Sequence, residues 1–340
     1  MNKDYNKQLH NLYEIFKKKK TKQYDFIKCS LLVDLVKFYN KEIRNPKKFL
    51  LKFSLFLANK IEEYKNKIRS LEELQKKHKY KKNYHYPVGK HYGILFDNFD
   101  KKSLFKEPYQ LLKKRFIRNK INIKNFKNKT AIDLGCGNGR YTFALKKLGF
   151  KKVVGIDISK KNIYNAKKKK IKNVYFFNGN ILKLNFIKEK FDFIFSYGVF
   201  HHTPSISKCF KEMHKVMAQN SSGFIFLIGA GGIKWKIINL MRKILSNVSQ
   251  NYIYKFFKDY GFTNKQIFLI LDHVLVPINK LTTPSEIEKI FIKNKIKYFK
   301  RCKRGSDFDD IEKIFRAKSI PKNTRFEIFG YGENRYFFKS

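Results

Sequence analysis

The sequence predicts an α/β protein in which helices cover both faces of a parallel sheet, with a helical region ahead of it. Three observations support this. From Thr130 onward, short apolar runs alternate with stretches of helical periodicity. Those runs are apolar throughout rather than at every second position, as strands buried on both faces require. Residues 1–80 instead space their apolar side chains three and four apart.

In the first region Leu31, Leu32, Leu35, Val36 and Tyr39 recur at helical spacing, as do Leu50, Phe53, Leu57 and Ile61. The charge run Lys17 to Lys20 is expected on a solvated helix face. Pro87 and Gly89 break the pattern, and a helix from about Pro108 to Asn119 precedes the sheet. Expected strands are Thr130–Leu134, Val153–Asp157, Val174–Asn178, Phe191–Ser196 and Gly223–Ile228. Helices near Tyr141–Leu148, Lys160–Lys170 and Ser205–Met217 lie between most of them. Residues 233–280 read as a helical, apolar insertion after the fifth strand, containing Trp235, Ile237, Ile238 and Leu240. A helix near Ser285–Lys293, a strand at Ile296–Arg301, an acidic loop at Ser306–Asp310 and β-rich pieces at Phe326–Phe329 and Arg335–Phe338 close the chain. The domain expectation is a helical region over 1–90 and one domain over 91–340, with its motif core at 129–228.

The 340 residues carry 76 Lys and Arg against 27 Asp and Glu, a formal charge of +49. Such a charge suggests a polyanionic partner. Yet 65 of the cations are lysine and 11 arginine, spread along the chain rather than gathered in a tail or stripe. Guanine edges and phosphates are read by the arginine fork, so this composition argues against a dedicated nucleic-acid binder. Cys29, Cys136, Cys209 and Cys302 are far apart and form no C-x-x-C pair, which speaks against a zinc site or a disulfide framework. The N-terminus has no apolar signal segment, and the window Phe49 to Ala58 is too short to span a bilayer. A cytoplasmic protein without a membrane span is expected.

The strongest chemical signal is Asp133-Leu134-Gly135-Cys136-Gly137-Asn138-Gly139, after a strand and before a helix. Three glycines at alternate positions allow a sharp turn and close approach to a ligand. The helix N-terminus behind them offers unpaired N–H groups to an anion, while an acid at the strand end can hold an ammonium. Eighteen residues past Gly139 the second strand ends in Asp157. An acid there bonds the two hydroxyls of a ribose. Together these features describe an adenosine-containing cofactor with an amino-acid tail. A dinucleotide fingerprint fails because Arg140 stands where the third glycine belongs, and a P-loop fails because Gly89-Lys90 is followed by His91. Gly229-Ala230-Gly231-Gly232 lacks a downstream acid and reads as a turn into the insertion.

These residues resemble the class I S-adenosylmethionine-dependent methyltransferases. The resemblance runs from Lys129 to about Leu227 through Ile132 to Tyr141, Val154 to Ser159, Phe191-Asp192-Phe193-Ile194 and Gly198-Val199-Phe200-His201-His202-Thr203. It implies a seven-stranded, mostly parallel Rossmann-like sheet and S-adenosylmethionine as methyl donor. It also implies that Asp133 and Gly135 lie near the methionine end, Gly137 and Gly139 along the nucleoside, and Asp157 on the ribose. Cys136, Asn138, Ile158 and Tyr197 complete the implied set. After the third strand the family usually has Gly-Asp, but this chain has Gly179-Asn180-Ile181. The Asn180 carbonyl can still accept from the adenine amino group, with Ile181 against the ring; a plain turn residue is the other reading.

His201 and His202 follow the fourth strand, where ligands meet such a sheet. Either imidazole titrates in the range a general base needs. The competing role is structural, with one histidine orienting the loop and Thr203 capping the next helix. The fourth strand ends in Ser196-Tyr197-Gly198-Val199 rather than the Asn/Asp-Pro-Pro-Tyr/Phe of amino-methylating enzymes of DNA bases and glutamine. Cys209 is not preceded by the proline of cytosine-C5 enzymes. The expectation is methyl transfer to oxygen or nitrogen of a small metabolite, anionic or amphipathic. An RNA or ribosomal acceptor and a non-catalytic cofactor-binding module are the alternatives. Tyr92 is a candidate lid residue, while Asp307, Asp309 and Asp310 read as a solvated acidic loop rather than a metal site.

Overall fold

A computed structural model describes residues 4–74, 102–303 and 320–340. Pro87, Gly89, Tyr92, the His91 to Phe96 stretch and the acidic loop with Asp307, Asp309 and Asp310 lie outside the described residues.

Two compact units divide the chain. The first is helical and gathers residues 4–74, 231–275 and 320–330. It contains α1 (Asp4–Lys17), α2 (Asp25–Glu42), α3 (Pro46–Leu74), α8 (Ile233–Ile244), α9 (Gln250–Asp259), α10 (Asn264–Val274) and α12 (Lys322–Phe329). Its core is aromatic: Tyr5 lies 5.8 Å from Phe53, and Phe38 stacks on Phe56 at 4.3 Å. Lys28 is fully buried and donates to Asn247 Oδ1 at 3.0 Å. The insertion therefore clusters with the N-terminal helices rather than with the domain expected over 91–340. The apolar stripe of α8 (Ile233, Ile237, Leu240, Met241, Ile244) is buried in this unit. Two local readings change. Phe326–Phe329 is helical, not β: Pro321 starts the helix and Gly330, at φ 58°, ends it. The charge run is not a helix face, because α1 stops at Lys17 and Lys19 reaches Glu72 as an ion pair.

The second unit holds the sheet, over 102–230, 276–303 and 331–340. Its helices are α4 (Glu107–Arg118), α5 (Arg140–Lys147), α6 (Lys160–Lys167), α7 (Ile206–Lys215) and α11 (Pro284–Lys293). Its strands are β1 (Thr130–Leu134), β2 (Lys152–Asp157), β3 (Val174–Asn178), β4 (Phe191–Tyr197), β5 (Met217–Ile228), β6 (Tyr298–Arg301) and β7 (Glu333–Lys339). They form one sheet in the order β3-β2-β1-β4-β5-β7-β6. β7 runs antiparallel to both β5 and β6, and every other pairing is parallel. The seven-stranded, mostly parallel expectation is met.

Strand pleating sends alternate residues to opposite cores. Ile132, Leu134 and Ile194 join Phe210, Met213, Phe291 and Tyr336 on one face. Ala131, Phe193 and Phe195 join Leu112, Phe116, Phe126, Leu145 and Phe150 on the other. The second face is locked by rings: Phe193 lies 5.1 Å from Phe126, 5.1 Å from Phe150 and 6.1 Å from Phe116. Asp192 ties the opening residues of β4 and β1 together, accepting from the Thr130 amide at 2.8 Å and its hydroxyl at 3.0 Å. Because Phe193 touches three buried rings, Phe193→Ala should cost about 3–5 kcal/mol of stability. A urea midpoint that moves by less than about 1 kcal/mol equivalent would show that this face is not the shared core.

Candidate functional site

Chain order reverses across the sheet between β1 and β4, which opens a crevice at the carboxyl ends of those strands. Every candidate residue lies at that edge. Asp133 and the glycine loop follow β1, Asp157 and Ile158 end β2, Asn180 and Ile181 follow β3, and Tyr197, His201 and His202 end or follow β4. The parallel crossovers thus bring together residues up to 69 positions apart in the sequence.

The glycine loop has the backbone its sequence requires. Gly135, Gly137 and Gly139 adopt φ of 84°, 54° and 89°. A side chain on Gly135 would be strained by that φ, and its Cβ would stand 2.3 Å from Val199. Gly139 is the residue from which α5 starts. The amides of Gly135 and Cys136 both donate to the Ile156 carbonyl, at 2.8 and 2.9 Å. Gly137 N–H donates to Asp157 Oδ2 at 2.9 Å, and Ser159 N–H to Asp157 Oδ1 at 2.8 Å. Both carboxylate oxygens are therefore oriented by backbone amides, and each keeps a lone pair for a further donor. Burial raises the Asp157 pKa, and these amide hydrogen bonds oppose the rise.

Asp133 is fully enclosed and accepts from Thr142 Oγ1 at 2.7 Å. Burial pushes its carboxyl up to about 7, against the pull of that hydrogen bond. Thr142, in the first turn of α5, was not singled out in the sequence; a hydroxyl facing back from that turn towards the strand-end acid was the available signal. Asn138 is buried too, and among the described residues its Oδ1 has no hydrogen-bond partner.

The other candidates divide by orientation. The Cys136 thiol packs inward with Phe143 and Phe176, so burial raises its pKa well above the usual thiol value. Ile181 packs in the core with Leu184 and Ile156. Ile158 is 56% exposed, next to Asp157. Asn180 is exposed, and its Oδ1 accepts from the Leu182 amide at 2.9 Å, the geometry of a turn residue with one lone pair remaining. Tyr197 is half-buried, its ring 4.8 Å from that of Tyr141.

Phe200–His202 form a single 3-10 turn, with both imidazoles buried and 4.0 Å apart. His202 Nδ1 lies 2.8 Å from the Ile278 carbonyl. A carbonyl only accepts, so that contact puts a proton on Nδ1. The Lys280 amide donates to the His201 carbonyl at 2.8 Å, fixing the segment after residue 275 against the turn. Thr203 does not cap α7. Its hydroxyl donates to the Phe200 carbonyl at 2.7 Å, and Ser205 is the cap, accepting from Lys208 N–H at 3.1 Å. Among the described residues no three His, Cys, Asp or Glu side chains gather as a metal-binding group, and no helix is long and apolar enough to cross a membrane.

Residues 125–253 match a family described as a methyltransferase domain. Over 107 residues the chain is 38% identical to the ubiquinone biosynthesis O-methyltransferase of Pelagibacter ubique, covering 30% of this chain and 43% of that protein. Over 110 residues it is 34% identical to the tRNA U34 carboxymethyltransferase of Campylobacter curvus, covering 30% of this chain and 35% of that one. This chain thus spans less than half the length of these curated relatives. A solved structure of magnesium protoporphyrin IX methyltransferase from Synechocystis with bound SAM is 12% identical, with 68% of this chain and 79% of that chain covered at a TM-score of 0.39. The matched region is a class I S-adenosylmethionine-dependent methyltransferase domain.

The residues present suit that cofactor: a buried amide oxygen without a partner at Asn138, a carboxylate oriented towards further donors at Asp157, and an enclosed carboxyl at Asp133. Replacing Asp157 by Ala should weaken S-adenosylhomocysteine binding about 10- to 100-fold, the worth of one or two hydrogen bonds to a charged group. Calorimetric affinity within twofold of wild type would remove Asp157 from the site. The Asp133 carboxyl is protonated below about pH 7 in the ligand-free protein. An ammonium ligand favours the carboxylate, so binding near neutrality should release a proton and affinity should fall as pH drops below 7. Titrations in buffers of different ionisation enthalpy read the proton directly, and Asp133→Asn should abolish its release.

Proposed function

We propose that this chain transfers a methyl group from S-adenosylmethionine to an oxygen or nitrogen of a small metabolite. In this reading Asp157 and the Gly135–Gly139 loop hold the nucleoside and Asp133 faces the methionine ammonium. Asn138, Ile158 and Asn180 border the cofactor, while Cys136 and Ile181 shape its bed from the core side. Tyr197 borders the cofactor as well, and the His201-His202 turn stands on the side where the acceptor enters.

The sulfonium supplies an electrophilic methyl carbon, so the reaction is an in-line displacement in which the protein aligns the incoming lone pair. The observation that carries the reading is the placement, along one carboxyl edge of the sheet, of an amide-held Asp157 and a buried imidazole whose Nδ1 is committed to the Ile278 carbonyl. An imidazole held in that tautomer accepts at Nε2 the proton an acceptor hydroxyl must lose. The likeness to a ubiquinone biosynthesis O-methyltransferase supports an oxygen acceptor. So does the Ser196-Tyr197-Gly198-Val199 strand end, which lacks the motif of the DNA-base and glutamine enzymes.

A second reading, an RNA acceptor, rests on the likeness to tRNA U34 carboxymethyltransferases together with the net charge of +49. Incubating the full chain and labelled S-adenosylmethionine with extract, then separating metabolite, lipid, RNA and protein pools, distinguishes the two. Label should enter the metabolite pool; label confined to RNA would replace the first reading with the second, and no label in any pool would favour a non-catalytic module. With the labelled pool as substrate, His202→Ala should lower turnover about 100-fold while S-adenosylhomocysteine affinity stays within twofold. Unchanged turnover in both His201→Ala and His202→Ala would end the general-base assignment.

A further inference from the structure

Beside the crevice, on the face of the sheet covered by α4 and α5, guanidinium groups gather around the phenols of Tyr141 and Tyr197. Arg115, in the third turn of α4, is 4% exposed. Its guanidinium carbon sits 4.9 Å over the Tyr197 ring, and Nη1 reaches the Tyr141 hydroxyl at a long 3.4 Å. Among the described residues no carboxylate pairs with Arg115, and its buried Nε has no hydrogen-bond partner. From β7, Arg335 points at the same phenol: Nε and Nη2 lie 3.4 and 3.3 Å from the Tyr197 hydroxyl. Arg335 is also buried and forms an ion pair with Glu333. Arg140 adds a third guanidinium, 5.4 Å over the Tyr141 ring.

Burying Arg115 against phenols alone is costly, since desolvation of a guanidinium is repaid in full only by an anion. The cluster's effect on its neighbours has the expected sign. The Tyr141 phenol, although burial raises its pKa, is carried below the ordinary tyrosine value by Arg115, Arg140 and Arg335. The contacts at 3.3–3.4 Å are also long for hydrogen bonds of a charged donor, which close to about 2.7–2.9 Å on a carboxylate or phosphate.

The register places this cluster next to the chemistry. Tyr197, Phe226 and Arg335 form one cross-strand row at the carboxyl ends of β4 and β5. Phe226 stands 4.7 Å from Tyr197 and 6.0 Å from His201, ring to ring, and 5.1 Å from the Arg335 guanidinium carbon. One aromatic ring therefore separates the Arg335 guanidinium from His201, whose imidazole lies 4.0 Å from that of the candidate base His202.

We propose that Arg115 and Arg335 form an anion subsite that receives a carboxylate or phosphate group of the methyl acceptor, with Phe226 spacing that group from the reacting atom. This deepens the methyltransferase reading and rests on it for the identity of the neighbouring site. It narrows the acceptor to a small molecule with an anionic group on one side and the methylated oxygen or nitrogen on the other. The +49 surface contributes attraction without selectivity, whereas the arginine fork selects planar oxyanions.

The test is calorimetric titration of inorganic phosphate into the full chain saturated with S-adenosylhomocysteine, at fixed ionic strength set by chloride to suppress binding to surface lysines. Saturable binding is expected in wild type, weakened about tenfold or more in Arg115→Gln and in Arg335→Gln, the loss of one charge-assisted contact. Arg115→Lys and Arg335→Lys, which keep the charge, should lose less and serve where a glutamine variant melts early. S-adenosylhomocysteine affinity should stay within threefold in all four. No saturable phosphate binding in wild type overturns the proposal, as does binding undiminished in the variants, which would place the anion on surface lysines. A tenfold loss of S-adenosylhomocysteine affinity in Arg115→Gln, with 5′-methylthioadenosine unaffected, also overturns it by giving the guanidiniums to the cofactor's own carboxylate. Failure of wild type to bind S-adenosylhomocysteine would count against the cofactor reading instead, and phosphate binding to the ligand-free chain would still decide the subsite.

Discussion

The site depends on the grip of the Asp157 carboxylate on two backbone amides, one from the β1 loop and one from its own strand end. That grip has two effects. It pins Gly137 against the end of β2, so the loop's left-handed backbone does not need a ligand to hold its shape. It also spends the inward lone pairs of the carboxylate on the protein and turns the others outward. The Ile156 carbonyl, accepting from both Gly135 and Cys136, reinforces the same seam between β1 and β2. A side chain at Gly135 would act on this seam first, because Val199 from the β4 end closes over it.

Around that seam the protein buries charge in two different ways. Asp133 is enclosed with one hydroxyl for company and becomes an acid that is neutral or charged according to what binds beside it. Arg115 is enclosed with phenols, and a guanidinium does not give up its proton at any physiological pH. The carboxyl can relieve its burial by protonation; the guanidinium can do so only by acquiring an anion. This difference is why the proposed anion subsite is drawn at the arginine cluster and not on the lysine-rich surface.

Much of the fold was legible because the signals are local. Doubly apolar runs located all five strands from Thr130 to Ile228, and the loop between Asp133 and Gly139 carried its own backbone requirement. Local signals also failed locally. Phe326 to Phe329 reads as β from its residue types, yet Pro321 and Gly330 bound a helix there, and Thr203 yielded the capping role to Ser205. Asn180 kept an oxygen that can accept, but the turn claimed one of its lone pairs. Arg115 and Arg335 were invisible among 76 cations, since nothing in a one-dimensional sequence marks which guanidinium will be buried.

By itself, then, the sequence determined the parallel sheet, the glycine loop and the strand-end acids, because each is set by residue type and spacing within about twenty positions. Only the tertiary structure decided which helices belong together. Residues 231–275 cluster with the N-terminal helices, as their apolar stripes find partners far away in the chain. The same holds for the guanidinium cluster: β7 pairs antiparallel with β5 and sets Arg335 beside Tyr197, a proximity fixed by strand register across 138 residues of sequence.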